Sequence, residues 1–112
     1  MNLSSSIKDD LQIITVNEPR IDASVAIRFK DEMRDQTNDG APRILLDLTQ
    51  VDFIDSSGLG AIVAAMKQLG TTRKLDLAGL TPNVDRVFRL TRMDTIFAIH
   101  PSVEAGISTH AG

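Results

Sequence analysis

Short apolar runs that suit β-strands alternate along this 112-residue chain with segments whose apolar residues recur at helical spacing. Residues 11–16 and 74–78 have strand composition, and residues 43–48 lack alternation, as is typical of a central strand covered on both faces. Parallel strands joined through helices have right-handed crossovers. The sequence therefore predicts an α/β fold with a mostly parallel central sheet in the order β-β-α-β-α-β-α-β-α, with helices packed on it.

Four helices fill the segments between and after these strands. We expect Asp22 to be the N-cap of the first helix, with Thr81 capping the third and a short fourth helix at 101–107. The apolar stripe of the first helix is Ala26, Phe29 and Met33. The stripe of the second helix is Leu59, Ile62, Val63, Met66 and Leu69. Both stripes are predicted to face the core, with Leu59 the most exposed member of the second.

The first and last strands of the sheet are expected near the two ends of the chain. Ile7 is expected to open an antiparallel edge strand, followed by a turn at Lys8-Asp9-Asp10. A last strand is expected at 96–99. The length fits one domain, 1–112, whose terminal residues 1–5 and 108–112 are expected to fray.

Composition excludes several classes of function. The absence of cysteine excludes disulfides, zinc–thiolate sites and a thiol nucleophile. A net charge of −3 and the absence of Trp and Tyr argue against direct nucleic-acid binding. No apolar run approaches the roughly 20 residues that cross a bilayer. We expect a cytoplasmic protein without membrane association, cofactor or metal.

Residues 51–60, with the sequence V-D-F-I-D-S-S-G-L-G, lead from a buried strand into the second helix. Ser56 is expected at or next to the N-cap of that helix, where Asp55, Ser56 and Ser57 have the composition of a cap. Gly58 and Gly60 in the first turn lower helix propensity by about 1 kcal/mol each. Their lack of a side chain allows another backbone, or a phosphate, to come close.

The D-S-S-G-L-G segment after an apolar strand resembles the signature of the STAS domain family, and in particular of bacterial anti-sigma factor antagonists. Residues 21–23 (I-D-A) resemble the loop before the first helix of the family, and residues 81–88 (T-P-N-V-D-R-V-F) resemble the start of its third helix. The resemblance covers nearly the whole chain. One departure is Pro19, which stands where the family often has glycine.

This resemblance implies a phosphorylation switch at the serine that follows the Asp of the motif. Here that serine is Ser56, and Ser57 is the second candidate. The implied partners are an anti-sigma factor that is also a serine/threonine kinase of the histidine-kinase-like ATPase type, and a metal-dependent serine phosphatase. The unmodified protein would bind the kinase and free a sigma factor. The implied partner surface consists of Asp22, Asp52, Asp55, Ser56, Ser57, Gly58 and Leu59.

Other functions are less well supported by the residues. A hydrolase would use Ser56 as nucleophile and His100 as base, but Ile54 stands where a G-x-S-x-G elbow has glycine. An acidic metal pocket would use Asp47, Asp52 and Asp55. Gly58 and Gly60 fit no Walker or dinucleotide motif. We therefore expect a protein that is not an enzyme.

Within the same fold, one further alternative is open. STAS domains also serve as interaction modules in stressosomes, anion transporters and lipid-transport complexes, without a phosphorylation switch. The combination of Ser56 and Gly58 favours control by phosphorylation.

Overall fold

The computed structural model describes residues 1–38 and 40–111. Its strands are β1 (Leu3–Lys8), β2 (Leu11–Val16), β3 (Arg20–Ile21), β4 (Arg43–Asp47), β5 (Phe53–Ile54), β6 (Lys74–Ala78) and β7 (Ile99–His100). Its α-helices are α1 (Ala26–Gln36), α2 (Ser56–Gln68), α3 (Pro82–Leu90) and α4 (Val103–Ala111), with a 3₁₀ turn at Met93–Thr95. In the part of the chain that is described, no helix is both long and apolar enough to span a bilayer.

The main sheet has five strands in the order β1-β2-β4-β6-β7. Strand β1 is antiparallel to β2, and every other neighbouring pair in this sheet is parallel. This arrangement confirms the predicted α/β fold with a mostly parallel sheet and an antiparallel N-terminal edge. Strands β3 and β5 form a separate parallel pair of two residues each, which the sequence analysis did not predict.

Two apolar cores lie on opposite faces of the main sheet. The larger core lies under α1, α2 and α3 and contains Phe29, Ile62 and Phe88. This confirms the predicted inward faces of α1 and α2. The smaller core lies under α4. Ile44 belongs to the larger core and Leu45 to the smaller one, so β4 is covered on both faces as predicted.

Strand β1 begins at Leu3, four residues before the predicted start at Ile7, and takes in residues 3–5 of the segment expected to fray. Its register pairs Leu3 with Val16 and Lys8 with Leu11, so the turn narrows to Asp9 and Asp10. Only Leu3 is buried in this strand. Because residues 4–6 of this outer strand are all serine, the sequence shows no alternation of apolar and polar residues, and the first part of β1 was not predicted. At the other end, α4 includes residues 108–111, and Gly112 lies outside the described residues.

The last strand is shorter than predicted and starts later. The predicted strand covered 96–99, but β7 contains only Ile99 and His100. The N–H groups of Ile96 and Phe97 both donate to the carbonyl of Met93 at 3.0 Å, so the chain is still turning there. As a result β7 pairs with only the last two residues of β6.

Candidate partner-docking site at the start of α2

The N-cap of α2 is Asp55, and Ser56 is the first residue of the helix. Asp55 Oδ1 accepts a hydrogen bond from the N–H of Gly58 at 2.9 Å, and Oδ2 accepts one from the N–H of Ala23 at 3.1 Å. The carboxylate thus caps α2 and ties it to the loop before α1. Ser56 lies next to the cap, as expected.

Ser56 and Ser57 are exposed at the start of α2. Asp55 accepts from the N–H groups of Gly58 and Leu59, which are the third and fourth of the helix. Among the described residues, the N–H groups and hydroxyls of the two serines have no hydrogen-bond partner. The helix therefore presents free N–H groups and the positive end of its dipole beside two accessible hydroxyls.

Strand β3 holds the loop before α1 against the entry to α2. Arg20 and Ile21 pair in parallel with Phe53 and Ile54. The carbonyl of Pro19 accepts hydrogen bonds from the N–H groups of Asp52 at 2.8 Å and Phe53 at 3.3 Å. Proline lacks an N–H, but this contact uses only its carbonyl. Pro19 is therefore compatible with the loop geometry here.

Gly58 is required because the backbone of β3 passes very close to it. A Cβ atom built on Gly58 would lie 1.9 Å from the carbonyl oxygen of Ile21, whereas one on Gly60 would meet nothing within 4 Å. The expectation of a close backbone is therefore confirmed for Gly58 and wrong for Gly60. Gly58 is also buried, so it shapes the site through packing.

Asp22 organises the turn before α1 and does not cap that helix. The prediction of an N-cap at Asp22 was wrong, because α1 begins at Ala26 with Val25 as its N-cap. Asp22 Oδ1 instead accepts bonds from the Oγ of Ser24 at 2.6 Å and its N–H at 3.1 Å, and Oδ2 pairs with Arg20 Nε at 3.2 Å. The Ser24 hydroxyl, then Arg20, lower the pKa of the Asp22 carboxyl below its ordinary value.

Phe53 gives the site an exposed apolar group that the sequence analysis did not identify. Its side chain is 40% exposed, and the guanidinium of Arg20 lies 4.1 Å from the ring centroid. Neighbouring residues of a strand point to opposite faces, and Ile54 is buried. Because both residues of β5 are apolar, no alternation in the sequence could have shown that Phe53 faces outward. Leu59 is half-buried and packs against the larger core, as do Val63 and Met66 of the same stripe.

The structure brings the predicted site residues together on two adjoining loops, 19–24 and 52–59. Asp52 is exposed, and its N–H bonds to Pro19. Asp55 contacts the residue that follows Asp22. Carboxylates, two accessible serines and an apolar ring with a cation above it therefore share one surface, which has the composition of a protein-docking site.

The residues of the alternative sites have other contacts. His100 Nε2 lies 3.0 Å from Asp76 Oδ2, and the same carboxylate oxygen pairs with Arg43 at 2.6 Å. The imidazole, whose side chain is 12% exposed, thus belongs to β7 and its neighbours in the main sheet, and it is not bonded to Ser56. Asp47 Oδ1 accepts from the N–H and hydroxyl of Thr49. No group of three or more potential metal ligands occurs among residues 1–38 and 40–111.

Comparisons with known proteins agree with this geometry. The model of the STAS domain family matches residues 2–106. The anti-sigma-B factor antagonist of Listeria monocytogenes is 35% identical over 105 residues, which cover 88% of this chain and 90% of that protein. A crystal structure from Thermotoga maritima superposes with a TM-score of 0.82 at 27% identity, over 96% of this chain and 92% of that one.

A third comparison concerns the fold alone. The Bacillus cell fate determinant SpoIIAA in its phosphorylated form superposes with a TM-score of 0.69 at 17% identity, over 96% of this chain and 98% of that one. The family match and the Listeria relative, both spanning most of the chain, agree with the expectation of a regulator that is not an enzyme. The chain therefore belongs to the STAS domain family, among the anti-sigma factor antagonists.

Proposed function

We propose that this protein is a phosphorylation-controlled antagonist of an anti-sigma factor. The unphosphorylated form binds an anti-sigma factor that is also a serine kinase of the histidine-kinase-like ATPase type, and a sigma factor is released. Phosphorylation of Ser56 ends this binding, and a metal-dependent serine phosphatase restores it. The observation that carries the proposal is the exposed Ser56 at the first position of α2, directly after the capping Asp55.

The fold is suited to accept a phosphate on Ser56. A phosphoryl group adds about −1.5 to −2 charges and three acceptor oxygens. The free N–H groups of Ser56 and Ser57, together with the helix dipole, stabilise an anion at this end of the helix. Asp55 already caps α2, so the modified side chain does not need to replace an existing contact. The switch therefore acts on the surface and leaves the fold intact.

The same charge is unfavourable for a docked partner. Asp22 and Asp55 hold carboxylates on the two loops that meet at Ser56, and Asp52 is exposed nearby. A partner that packs closely here would desolvate the added phosphate beside these acids. A loss of about 3–4 kcal/mol lowers affinity a few hundredfold, and like-charge contacts at an interface reach this size.

The exposed ring of Phe53 supplies an apolar anchor for the kinase. Arg20 lies over this ring and also pairs with Asp22, which holds both side chains in one arrangement. Aromatic and Arg side chains are enriched at the centres of protein interfaces. The name of the Listeria relative supports the regulatory role, since that protein is an anti-sigma-B factor antagonist.

Intact-mass spectrometry tests the proposal. The protein is incubated with ATP and the candidate kinase encoded near its gene, with Ser56→Ala and Ser57→Ala in parallel. We expect one added phosphate in the wild type and in Ser57→Ala, and none in Ser56→Ala. Loss of the phosphate in Ser57→Ala alone would move the switch to Ser57.

Binding of the kinase is then measured by calorimetry, with Ser56→Asp and the matched variant Ser57→Asp. We expect Ser56→Asp to weaken binding a hundredfold or more and Ser57→Asp to weaken it much less. An active kinase that adds no phosphate, or equal binding by Ser56→Asp and wild type, would instead support a STAS interaction module without phosphorylation control.

A further inference from the structure

The geometry points to a second binding site, distinct from the Ser56 surface, for a small amphipathic anion: an apolar tail with one anionic head group. The site is a cleft of about 510 Å³ between the last turn of α2, the start of β6 and the segment before β7. Lys67 lines this cleft, eleven residues after Ser56 on α2. At 1.5 Å per residue the two sites are about 16 Å apart along the helix.

The cleft lies along the first part of β6, where no described strand pairs with the edge of β6 that faces away from β4. Strand β7 pairs with β6 only at Leu77 and Ala78, and the N–H of Leu77 donates to the carbonyl of Ala98 at 2.9 Å. Backbone groups alternate between the two edges of a strand, so those of Leu75 face the same edge as those of Leu77. Within the described parts of the chain nothing bonds to the N–H of Leu75. The cleft therefore contains a free backbone donor.

The wall of the cleft is largely apolar. Met66, Leu75, Ile96 and Ala98 line it, and Ile96 is 50% exposed. This exposure follows from the turn at Met93, whose carbonyl accepts the N–H groups of residues 96 and 97 and so keeps these two residues from pairing along β6. Removing this apolar surface from water is favourable. An apolar ligand tail would cover it.

The rim of the cleft is cationic. Lys67, Arg73 and Lys74 line it, and neither lysine has an ion-pair partner in residues 1–38 or 40–111. Arg73 is fixed in place because its Nε and Nη2 donate to the carbonyls of Ala41 and Thr37, both at 2.8 Å. Because both acceptors are neutral backbone carbonyls, they do not neutralise the positive charge of the guanidinium. The rim thus complements an anionic head group.

One carboxylate also lines the cleft, and it is already paired. Asp76 Oδ2 lies 2.6 Å from Arg43 and 3.0 Å from His100, and its side chain is almost completely buried. Its repulsion of a bound anion is therefore reduced by Arg43. The volume falls within the roughly 300–1,000 Å³ typical of small-molecule sites. An eight-carbon chain with a terminal carboxylate or phosphate fits this size and charge.

The test is an NMR titration of the full ¹⁵N-labelled chain with sodium octanoate. We expect saturable shifts of the amide signals of Leu75, Ile96 and Ala98, and none at Ser56. Octylammonium, with the same tail and the opposite charge, should bind at least tenfold more weakly. Octyl phosphate in a parallel titration distinguishes a phosphate head from a carboxylate head.

Charge-reversal variants test the rim. Lys67→Glu/Lys74→Glu should weaken octanoate binding at least tenfold, and the milder Lys67→Gln/Lys74→Gln should give an intermediate loss with less risk to the fold. Lys8→Glu/Lys30→Glu is the matched control, because it changes the net charge equally at exposed positions outside the cleft. Absence of saturable shifts, shifts confined to another face, equal binding of octylammonium, or unchanged affinity in both cleft variants would overturn the proposal.

Discussion

At the residue scale, Gly58 is the most constrained position of the proposed docking site. Its α-carbon faces the carbonyl of Ile21 so closely that even one methyl group has no room. The constraint comes from backbone atoms, which cannot rotate away as a flexible side chain could. This distinguishes Gly58 from Gly60, two residues later in the same helix, where the added methyl group would point into open space.

We predict that Gly58→Ala lowers the free energy of unfolding by about 2–3 kcal/mol, at the upper end of the range typical of overpacking, because the neighbouring backbone is rigid. Gly60→Ala should raise it by about 0.5–1 kcal/mol, because alanine is the better helix former. Urea denaturation of both variants measures the two effects. Equal effects of the two substitutions would contradict the close approach of β3.

Asp22 provides a pH-dependent prediction at the same scale. Its pKa is lower in the folded protein than the ordinary value of 3.8, chiefly because of the Ser24 hydroxyl. The ionised carboxylate therefore stabilises the fold above that value, and the contribution is lost as pH falls through the folded pKa. Asp22→Asn should be less stable than wild type at pH 7, and the difference should shrink as the pH falls below 3.8 towards the lowered pKa of the folded protein.

Urea midpoints measured at several pH values between 7 and 2 check this prediction. Asp35→Asn is the control, because it removes an equal charge from an exposed position on α1. A stability difference between wild type and Asp22→Asn that stays constant over this range would show that Asp22 acts without its charge.

At the element scale, periodicity predicts the long elements and fails for the short ones. The stripes of α1 and α2 and the continuous apolar run of β4 are long enough for their spacing to be read from the sequence. Strands β3 and β5 have two residues each, so no alternation can appear in them. They are nevertheless the elements that join the two loops of the docking site.

Local hydrogen bonds explain the other differences at this scale. The Ser24 contacts of Asp22 form a turn that delays α1 to Ala26. The carbonyl of Met93 similarly delays β7 to Ile99, although residues 96–99 are apolar enough for a strand. In both places a polar group forms a local hydrogen bond that replaces the start of the helix or strand. The spacing of apolar residues in the sequence gives no sign of such a bond.

A group of three charged or polar side chains links β4, β6 and β7 on the face under α4, and its effect on stability can be predicted. Asp76 on β6 joins Arg43 on β4 to His100 on β7. Breaking a buried pair costs about 3–5 kcal/mol, and Arg43 is partly exposed, so we expect Asp76→Ala to cost about 2–3 kcal/mol. Asp85→Ala, which breaks a more exposed pair with Arg89 on α3, should cost only about 0.3–0.5 kcal/mol.

Thermal or urea unfolding of Asp76→Ala and Asp85→Ala compares the two pairs directly. A cost at Asp76 no larger than that at Asp85 would mean that the sheet contact adds nothing beyond an ordinary surface pair.

At the scale of the whole molecule, α2 connects two surfaces of different character. Its first residue, Ser56, lies on the docking site, and its last turn lines the cationic cleft. The fold class and the position of the serine motif followed from the sequence, because both depend on local patterns. The cleft did not, since it arises only where β7 starts late and leaves the edge of β6 open. Such a gap is a property of the assembled sheet.

Hydrogen bonds between the loops 19–24 and 52–59 limit the changes of length that these two segments tolerate. Pro19 with Asp52, Ile21 with Asp55, and Asp55 with Ala23 form a closed set of hydrogen bonds across the two segments. Insertion or deletion of a residue in either segment would shift this register and press a side chain into the space at Gly58. Substitution of outward-facing side chains such as Phe53 would therefore change the exposed surface while both segments keep their length.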